Sequence, residues 1–262
     1  MQILRHYKDF PRHLKGSAIA IGNFDGLHEG HRGVINETTN IAKALNVPRG
    51  VITFEPHPRT FFNPKQLNFR ITPFKIKIRT IESLGVDFTL VLQFNHAISN
   101  LTAEEFIQYV LATGLNVRHV VCGNDFSFGK NRAGNCKLLL NKGKSLGFGL
   151  TAVKSINDGN NLVYSSTRIR NLLSEGNVKE AAVLLGRPFE IIGRVRQGDQ
   201  RGREIGFPTA NISLKEYIAI AFGVYAVRAL IQNSNGTPIK WLSGVANFGI
   251  RPTFKISDPV LE

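Results

Sequence analysis

The sequence predicts an α/β fold built on a parallel sheet, followed by an incomplete antiparallel β-barrel. Apolar runs of strand length first alternate with amphipathic stretches of helical length, and β-like runs without a convincing helix follow. The alternation breaks at Gly186-Arg187-Pro188, where glycine and proline end the helical pattern. We therefore expect two domains, 1–186 and 187–262.

The predicted elements of the first domain follow one another as in βαβ units. Five apolar runs are expected as strands: 18–21, 50–54, 88–94, 117–122 and 150–154. Six amphipathic stretches are expected as helices: 32–45, 73–84, 103–113, 135–145, 166–175 and 178–185. In the second domain the expected antiparallel strands are 189–196, 224–232 and 240–246.

The composition excludes several classes of protein. Of the 262 residues, 42% are hydrophobic and 20% are charged, which is typical of globular proteins and not of disordered or fibrous ones. No apolar stretch approaches the ~20 residues that a membrane helix needs, and the first residues lack the apolar core of a secretory signal. We therefore expect a cytoplasmic protein without a membrane partner. Its two cysteines, which form no CxxC pair, are expected as free thiols.

The net charge of +14 suggests a polyanionic ligand, which could be nucleic acid, an anionic membrane surface or a phosphorylated small molecule. Both halves of the chain are basic, and neither carries a dense basic tail. We interpret this as a diffusely basic surface and not as a dedicated nucleic-acid patch.

A glycine-rich turn between the first predicted strand and helix has the geometry of a phosphate site. It reads Gly22-Asn23-Phe24-Asp25-Gly26-Leu27-His28-Glu29-Gly30-His31. N–H groups at a helix N-terminus carry partial positive charge, and Gly26 and Gly30 let a phosphate approach closely. His28 and His31 add donors that can stabilise charge on a transferring phosphoryl group. The alternatives are two surface histidines at a helix start, or a metal site, which is disfavoured because two ligands are too few.

A second polar cluster, Ser165-Ser166-Thr167-Arg168-Ile169-Arg170, precedes a predicted helix at the end of the first domain. Its hydroxyls and guanidinium groups could clamp a triphosphate, and the alternative is an ordinary helix cap with surface arginines. Because the cluster follows a fifth strand, it should lie at the carboxyl edge of the same sheet as His28, where such folds bind ligands. That position favours the phosphate interpretation.

These motifs resemble those of a known family, the bacterial bifunctional riboflavin kinases/FMN adenylyltransferases, also called FAD synthetases. The resemblance rests on GNFDGLHEGH, on TFEPHP at 53–58, on GNDFSFG at 123–129 with Arg132 and Gly134, and on SSTRIR. It implies that the first domain is a Rossmann-like nucleotidyltransferase, which moves AMP from ATP to FMN and releases pyrophosphate.

The resemblance also implies roles for individual residues. His28 and His31 would stabilise the transferring α-phosphate, and Arg168 would act on the outer phosphates as a catalytic residue. The nucleotide would lie against Gly22, Phe24, Asp25, Gly26, Gly30, Ser165, Ser166, Thr167 and Arg170. The flavin would lie against Pro56, Pro58, Phe62, Asn124, Asp125 and Phe128. Aromatic and proline faces stack well on an isoalloxazine ring, although Phe62 and Phe128 could instead be ordinary core residues.

The second domain opens with a loop rich in glycine and charge, GDQRGREIGFPTAN at 198–211. Its glycines, among them Gly198 and Gly206, suggest a loop that wraps phosphates, and the oxygens of Thr209 and Asn211 suit Mg²⁺. A polar hairpin is an equal alternative on spacing alone. The segment resembles the riboflavin kinase signature, in which these threonine and asparagine positions hold the magnesium of ATP, and 223–226 and 244–254 resemble the kinase barrel.

The last residue, Glu262, falls on the position that the resemblance assigns to the general base of the kinase. The family continues through further strands and a helix, so we expect an unpaired sheet edge and a poorly held Glu262 carboxylate. Since phosphoryl transfer depends on positioning, riboflavin phosphorylation should be slow or absent, while FMN adenylylation should survive.

Two other functions remain open from the sequence. One is another nucleotidyltransferase with the HxGH motif of residues 28–31, but such an enzyme would have no use for the GFPTAN segment at 206–211. The other is a noncatalytic flavin-binding or nucleic-acid-binding protein, which only the net charge suggests. We expect ATP, FMN and riboflavin as substrates with Mg²⁺ as cofactor, and no nucleic-acid partner.

Overall fold

A computed structural model describes residues 1–65, 69–196, 209–233, 236–249 and 260–262. Its strands are β1 Gln2–Leu4, β2 Ala18–Ile21, β3 Arg49–Glu55, β4 Phe88–Gln93, β5 His119–Gly123, β6 Gly149–Val153, β7 Ile212–Ser213, β8 Gly223–Gln232, β9 Pro238–Gly249 and β10 Val260–Leu261. Its α-helices are α1 Glu29–Leu45, α2 Pro58–Phe62, α3 Phe74–Ser83, α4 His96–Ser99, α5 Ala103–Glu105, α6 Cys136–Leu146, α7 Ser166–Ser174 and α8 Val178–Leu185. A π-helical segment, Phe106–Gly114, continues α5, and 3₁₀ turns lie at Arg12–Leu14 and Lys130–Arg132.

The first six strands form one parallel sheet in the order β1-β4-β3-β2-β5-β6. The five strands expected from the sequence are confirmed, and β1 is an addition whose three residues are too few to show a period. The strand order reverses between β2 and β5, because β3 and β4 lie on one side of β2 and β5 and β6 on the other. Such a reversal leaves a crevice at the carboxyl ends of the two strands, where ligands bind in this class of fold.

Helices cover this sheet on both faces, so its central strands are apolar along their whole length. In β2, Ile19 and Ile21 pack into a cluster on one face with Phe54 and other side chains of β3 and β4. Ala20, between them, belongs to a separate cluster on the opposite face, together with Val51. This is the pattern of a parallel strand buried on both sides, and it explains why uninterrupted apolar runs identified these strands.

The second sheet is antiparallel, in the order β7-β10-β9-β8. The antiparallel second half and the strands expected at 224–232 and 240–246 are confirmed by β8 and β9. The expected strand at 189–196 is wrong, since the part of the chain that the structure describes shows a single isolated bridge for this segment, from Arg196 to Asn211. The N–H and C=O of Ile192 bond to the hydroxyl of Tyr217 at 2.6 and 3.1 Å instead of to a neighbouring strand.

The two halves of the chain share a hydrophobic cluster. Ile169, Leu173 and Leu185 of α7 and α8 pack with Leu214 and Tyr217 from the second half. Helix α8 ends as expected, with Gly186 in the left-handed conformation at its C-cap. The division into 1–186 and 187–262 stays a prediction, because side chains from both sides of Gly186 complete one core. Among the described residues, no helix combines the length and apolarity needed to cross a membrane.

Candidate active site

A cavity of about 800 Å³ opens at the carboxyl ends of β2, β3 and β5. The predicted site residues that line it are Gly22, Phe24, Asp25, His28, Gly30, His31, Pro58, Phe62, Asn124, Asp125, Phe128, Ser165, Ser166, Thr167 and Arg170. Pro56, Gly26 and Arg168 are outside its lining. Motifs that lie far apart in the sequence therefore meet in one crevice, at the reversal in strand order.

The two histidines of the glycine-rich turn form a stacked pair. Their ring centroids are 3.7 Å apart with an interplanar angle of 19°. His28 is the N-cap of α1, and its Nδ1 accepts a hydrogen bond from the backbone N–H of His31 at 3.4 Å. Because an accepting Nδ1 carries no hydrogen, the neutral ring has its hydrogen on Nε2. The cap thus selects the tautomer in which His28 donates from Nε2.

Both rings are uncharged at neutral pH. Burial lowers the pKa of His28 to about 4, although the Asp25 carboxylate opposes this shift. Burial also holds the pKa of His31 well below its usual value, and the neighbouring His28 ring adds to the effect. Stacked imidazoles cannot readily both be protonated, because two like charges at this separation repel strongly. The pair can therefore offer N–H donors to a phosphate without carrying two positive charges.

The first turn of α1, between the two histidines, packs closely against its neighbours. A Cβ on Gly30 would lie 3.1 Å from the His28 ring and 3.3 Å from the side chain of Tyr164. The glycine therefore lets α1 begin against the His28 ring, which a larger residue would displace. From the sequence, we expect Gly30 to leave room for a phosphate. The structure shows that Gly30 also leaves room for the side chains of His28 and Tyr164.

Asp25 lies at the floor of the cavity, where it is only 3% exposed. Its Oδ1 accepts hydrogen bonds from the N–H groups of Ile71 and Thr72 at 3.1 and 3.0 Å, and its Oδ2 accepts one from Arg170 Nη2 at 2.6 Å. Burial works against the charged form, but the Arg170 guanidinium and the Thr72 N–H hold the pKa of Asp25 below its usual value. Asp25 and Arg170 thus bind each other and fix the wall of the cavity.

The start of α7 lies beside the histidine turn. Ser165 is the N-cap, and its Oγ accepts from the N–H of Arg168 at 3.2 Å. Ser166 donates from Oγ to the carbonyl oxygen of Asp25 at 2.8 Å, which ties α7 to the turn. Arg168 forms an ion pair with Asp158 at 2.6 Å, and Thr167 lines the cavity with an exposed side chain. The N-termini of α1 and α7 therefore face one cavity, as expected from their place after parallel strands.

Aromatic side chains line the other part of the cavity. Phe62 is 64% exposed, with its ring 5.7 Å from that of Phe94, so it is not a core residue. Phe128 is buried and stacks on Phe126 with a centroid distance of 5.4 Å. Both rings reach the cavity, but only Phe62 offers an open face large enough to stack on a planar ligand.

A second polar group lies in the antiparallel sheet. Thr209 donates from Oγ1 to Oε1 of Glu262 at 2.6 Å, and the N–H and C=O of Glu262 pair with Asn247 at 2.9 and 2.7 Å. Asn211 is nearly buried beside β7. Gly198 and Gly206 lie outside the described residues.

The expectation of a poorly held Glu262 is wrong. Its strand, β10, pairs with β7 on one side and β9 on the other, so Glu262 continues an inner strand of the sheet. The backbone of Glu262 itself pairs with Asn247 of β9, which holds the residue that the sequence alone placed at an unpaired end.

The donors in this second group suit magnesium. Thr209 and Asn211 offer a hydroxyl and an amide oxygen, which are hard ligands. Within the described residues, no group of three or more His, Cys, Asp or Glu side chains could hold a metal ion. A metal at either site would therefore take much of its coordination from substrate phosphates and water, as Mg²⁺ usually does.

Comparison with known proteins relates both halves to one enzyme family. A family described as FAD synthetase matches residues 10–168, and a family described as riboflavin kinase matches residues 185–262. The Buchnera aphidicola protein named bifunctional riboflavin kinase/FMN adenylyltransferase is 39% identical over 97% of this chain and 80% of its own length. The chain belongs to this family.

Other members of the bifunctional riboflavin kinase/FMN adenylyltransferase family are similarly close. The Escherichia coli K12 protein is 40% identical over 91% of this chain and 74% of its own length, and the Haemophilus influenzae protein is 38% identical over 100% and 83%. A crystal structure described as a macrolide-efflux protein from Streptococcus pneumoniae superposes with a TM-score of 0.82. It is 29% identical and covers 99% of this chain and 82% of that one. This structural likeness supports the same two-part fold.

Three residues at or beside the site were not among the predicted site residues. Lys77 in α3 is 2% exposed and donates from Nζ to the carbonyl oxygen of Asn23 at 2.9 Å. Burial lowers the pKa of Lys77, although the nearby Asp25 and Glu55 carboxylates oppose this shift. His57 lines the cavity, accepts at Nδ1 from the N–H of Arg59 at 3.1 Å, and has its pKa lowered by burial to about 4.

The third, Arg187, donates to the carbonyl oxygen of Gly26 at 2.8 Å. The only local signal for Lys77 was a lysine between Ile76 and Ile78 on an otherwise apolar helix face. No local pattern distinguishes Arg187, because the turn that it contacts lies in a distant part of the sequence.

Proposed function

We propose that the cavity of the first domain, residues 1–186, binds ATP and FMN and transfers AMP to FMN. The observation that carries this proposal is the meeting of two helix N-termini, a stacked histidine pair and an exposed phenylalanine in one cavity. The first two features suit the phosphates of a nucleotide, and the third suits a planar flavin. Family membership supports the same pairing of substrates.

In the proposed reaction, a phosphate oxygen of FMN attacks the α-phosphorus of ATP. A new P–O bond forms, the bond from the α-phosphorus to the bridging oxygen breaks, and pyrophosphate leaves with the electron pair. No covalent enzyme intermediate is needed, so the protein contributes position and charge stabilisation. We assign stabilisation of the α-phosphate to His28, which donates from Nε2, and to His31 stacked on it.

We assign the outer phosphates to the start of α7. Thr167 presents its hydroxyl to the cavity, and Arg168 in the first turn carries positive charge close to it. Asp25 and Arg170 line the cavity as an ion pair, which fixes the position of the Arg170 guanidinium beside the nucleotide. Pro58, Phe62, Asn124 and Asp125 form the flavin side, with Phe128 as a packed support.

Magnesium would neutralise phosphate charge in both reactions, and in the second domain Thr209 and Asn211 would hold it. The available ligands would be oxygen atoms of side chains and of substrate phosphates. Such ligands suit Mg²⁺ better than they suit a transition metal. A cytoplasmic location and the lack of a nucleic-acid partner remain predictions.

We further propose that the second domain, residues 187–262, phosphorylates riboflavin. The observation in favour is the hydrogen bond between Thr209 and Glu262, which places a candidate metal ligand beside a candidate general base. The well-paired position of Glu262 supports a functional kinase, in place of the slow or absent reaction expected from the sequence.

One assay tests both activities. The purified chain is incubated with ATP and Mg²⁺, separately with FMN and with riboflavin, and the flavins are separated by chromatography. We expect FAD from FMN, and FMN followed by FAD from riboflavin. Binding of random DNA without any ATP-dependent conversion of flavin would instead support a noncatalytic basic protein.

A further inference from the structure

The turn between β2 and α1 has an unusual backbone conformation. Phe24 and Leu27 have φ angles of 50° and 44°, and Gly26 between them has φ of 90°. Non-glycine residues in the left-handed region are strained and persist only where surrounding contacts hold them. The contacts on this turn therefore control the geometry of the candidate phosphate site.

Arg187 provides several of these contacts from beyond α8. Its Nη2 donates to the carbonyl oxygen of Gly26 at 2.8 Å, and its Nη1 donates to those of Leu27 and Leu185 at 3.4 and 3.1 Å. The guanidinium thus bridges the end of α8 and the strained turn. A planar fork with fixed donor directions can do this, whereas a lysine ammonium has no such fixed geometry.

These bonds set the direction of the peptide units just before His28. In a trans peptide the C=O and N–H point in opposite directions. When Arg187 holds the carbonyl oxygens of Gly26 and Leu27, the N–H groups of Leu27 and His28 are directed away from it. His28 caps α1 and lines the cavity, so its backbone orientation depends on this contact.

A second hydrogen bond connects the second half of the chain to the wall of the cavity. The N–H of Ile218 donates to the carbonyl oxygen of Arg70 at 2.7 Å. Arg70 immediately precedes Ile71 and Thr72, whose N–H groups hold the Asp25 carboxylate. Residues of the second half therefore support the turn on one side and the wall on the other.

We propose that Arg187 is a positioning residue for adenylyl transfer. It holds the turn that carries His28, although it is outside the lining of the cavity and outside the FAD synthetase match at 10–168. This inference rests on the proposed adenylyltransferase function. Its consequence is that the first reaction depends on a residue from the segment that opens the second domain.

Two variants and one control test the proposal in the full chain. Arg187→Met removes the donors at similar length, and Arg187→Lys keeps the charge without the planar fork. Arg194→Met makes the same change at an exposed position seven residues later. For each protein we would measure kcat and KM for ATP in FAD formation, the rate of riboflavin phosphorylation, and hydrogen exchange in the peptide covering residues 22–31.

We expect Arg187→Met to lower kcat for FAD formation about 10- to 100-fold, since small misplacements of catalytic groups have effects of this size. Riboflavin phosphorylation should stay within about twofold of wild type, exchange in 22–31 should accelerate, and Arg187→Lys should be intermediate. Arg194→Met should match wild type in all readouts.

Two results would overturn the proposal: FAD formation by folded Arg187→Met within about twofold of wild type, or an equal fall of both activities with unchanged exchange in 22–31. If Arg187→Met does not fold, Arg187→Lys decides by the same criteria. If wild type makes no FAD, the proposed function fails, and unchanged exchange in 22–31 in the variants would then overturn the positioning role on its own.

Discussion

Thr209 and Glu262 are 53 positions apart in the chain, and their side chains share a hydrogen bond of 2.6 Å. The bond joins a residue expected to bind magnesium to one expected to act as a base. Strands β7 and β10 bring the two segments together, because they pair antiparallel with Val260 opposite Ser213. The contact gives the second sheet a specific candidate site that single substitutions can test.

Replacing Glu262 with glutamine tests the role of a base in riboflavin phosphorylation. Glutamine keeps an oxygen that can accept from Thr209 but cannot take a proton from the substrate hydroxyl. We expect FMN formation from riboflavin to fall about 10²- to 10⁴-fold, while FAD formation from FMN is unchanged. The exposed Glu216→Gln is the matched control. Wild-type kinase activity in Glu262→Gln would rule out this role.

The histidine pair should be essential for the first reaction. We expect His28→Ala or His31→Ala to lower kcat for FAD formation at least about 100-fold, because each removes a donor that stabilises transition-state charge. Steady-state assays with FMN and ATP measure the effect, and His6→Ala at an exposed site serves as control. Stable folding with unchanged FAD synthesis in both variants would remove the basis for the assignment.

The buried Lys77 should stabilise the first domain. Lys77→Met leaves the Asn23 carbonyl without this donor and removes the cation near Asp25 and Glu55. We expect a loss of about 3 kcal/mol in the free energy of unfolding, as is typical when one partner of a buried charge group is removed. Urea unfolding measures it, with the exposed Lys75→Met on the same helix as control. Equal stability of the two variants would contradict this prediction.

Acid should destabilise the protein through its buried histidines. The pKa of His28 and of His57 is about 4 in the folded state, because burial lowers it from the ordinary histidine value of 6.5. Between these values the unfolded state binds more protons, so the free energy of unfolding decreases as pH falls from about 6.5 to 4. Each ring accounts for on the order of 3 kcal/mol over this range.

Unfolding curves at a series of pH values test this linkage. His57→Asn should flatten the dependence, and His6→Asn should leave it unchanged. An identical pH dependence in His57→Asn and wild type would show that the ring does not contribute.

Both reactions should require Mg²⁺. The described part of the chain has no cluster of three or more His, Cys, Asp or Glu ligands, so the cation would be held largely by substrate phosphates and would exchange readily. We expect excess chelator to abolish FAD formation and riboflavin phosphorylation, and added Mg²⁺ to restore both. Full activity in excess chelator would be inconsistent with this requirement.

Local patterns predicted most of the fold for identifiable reasons. The uninterrupted apolar runs became inner strands because helices cover both faces of the sheet, as Ile19 and Ala20 show by packing into opposite clusters. The run at 189–196 looked like a strand for the same reason, but Phe189, Ile191 and Ile192 pack against the cluster that α7 and α8 share with the second half of the chain. Composition alone cannot distinguish an apolar segment that joins a sheet from one that covers helices.

The candidate site was predicted less completely. The sequence placed His28 and Ser165 at helix starts after parallel strands, and both positions are confirmed as N-caps. It also assigned Asp25 and Arg170 to the nucleotide site, and both line the cavity, but it did not predict that they form an ion pair with each other. Charged residues that suit a ligand also suit one another, and only their positions in space distinguish the two uses.

By itself, the sequence determined the order of strands and helices, the helix-start motifs and the family, because periodicity and motif spacing are properties of neighbouring residues. Only the tertiary structure decided which charges are paired and what holds the strained turn. Arg170 meets Asp25 across 145 positions, and Arg187 meets Gly26 across 161. Contacts at such separations depend on how whole helices and strands pack. A buried polar group needs a hydrogen-bond partner that is close and correctly oriented in space, and the position of that partner in the sequence follows no repeating pattern.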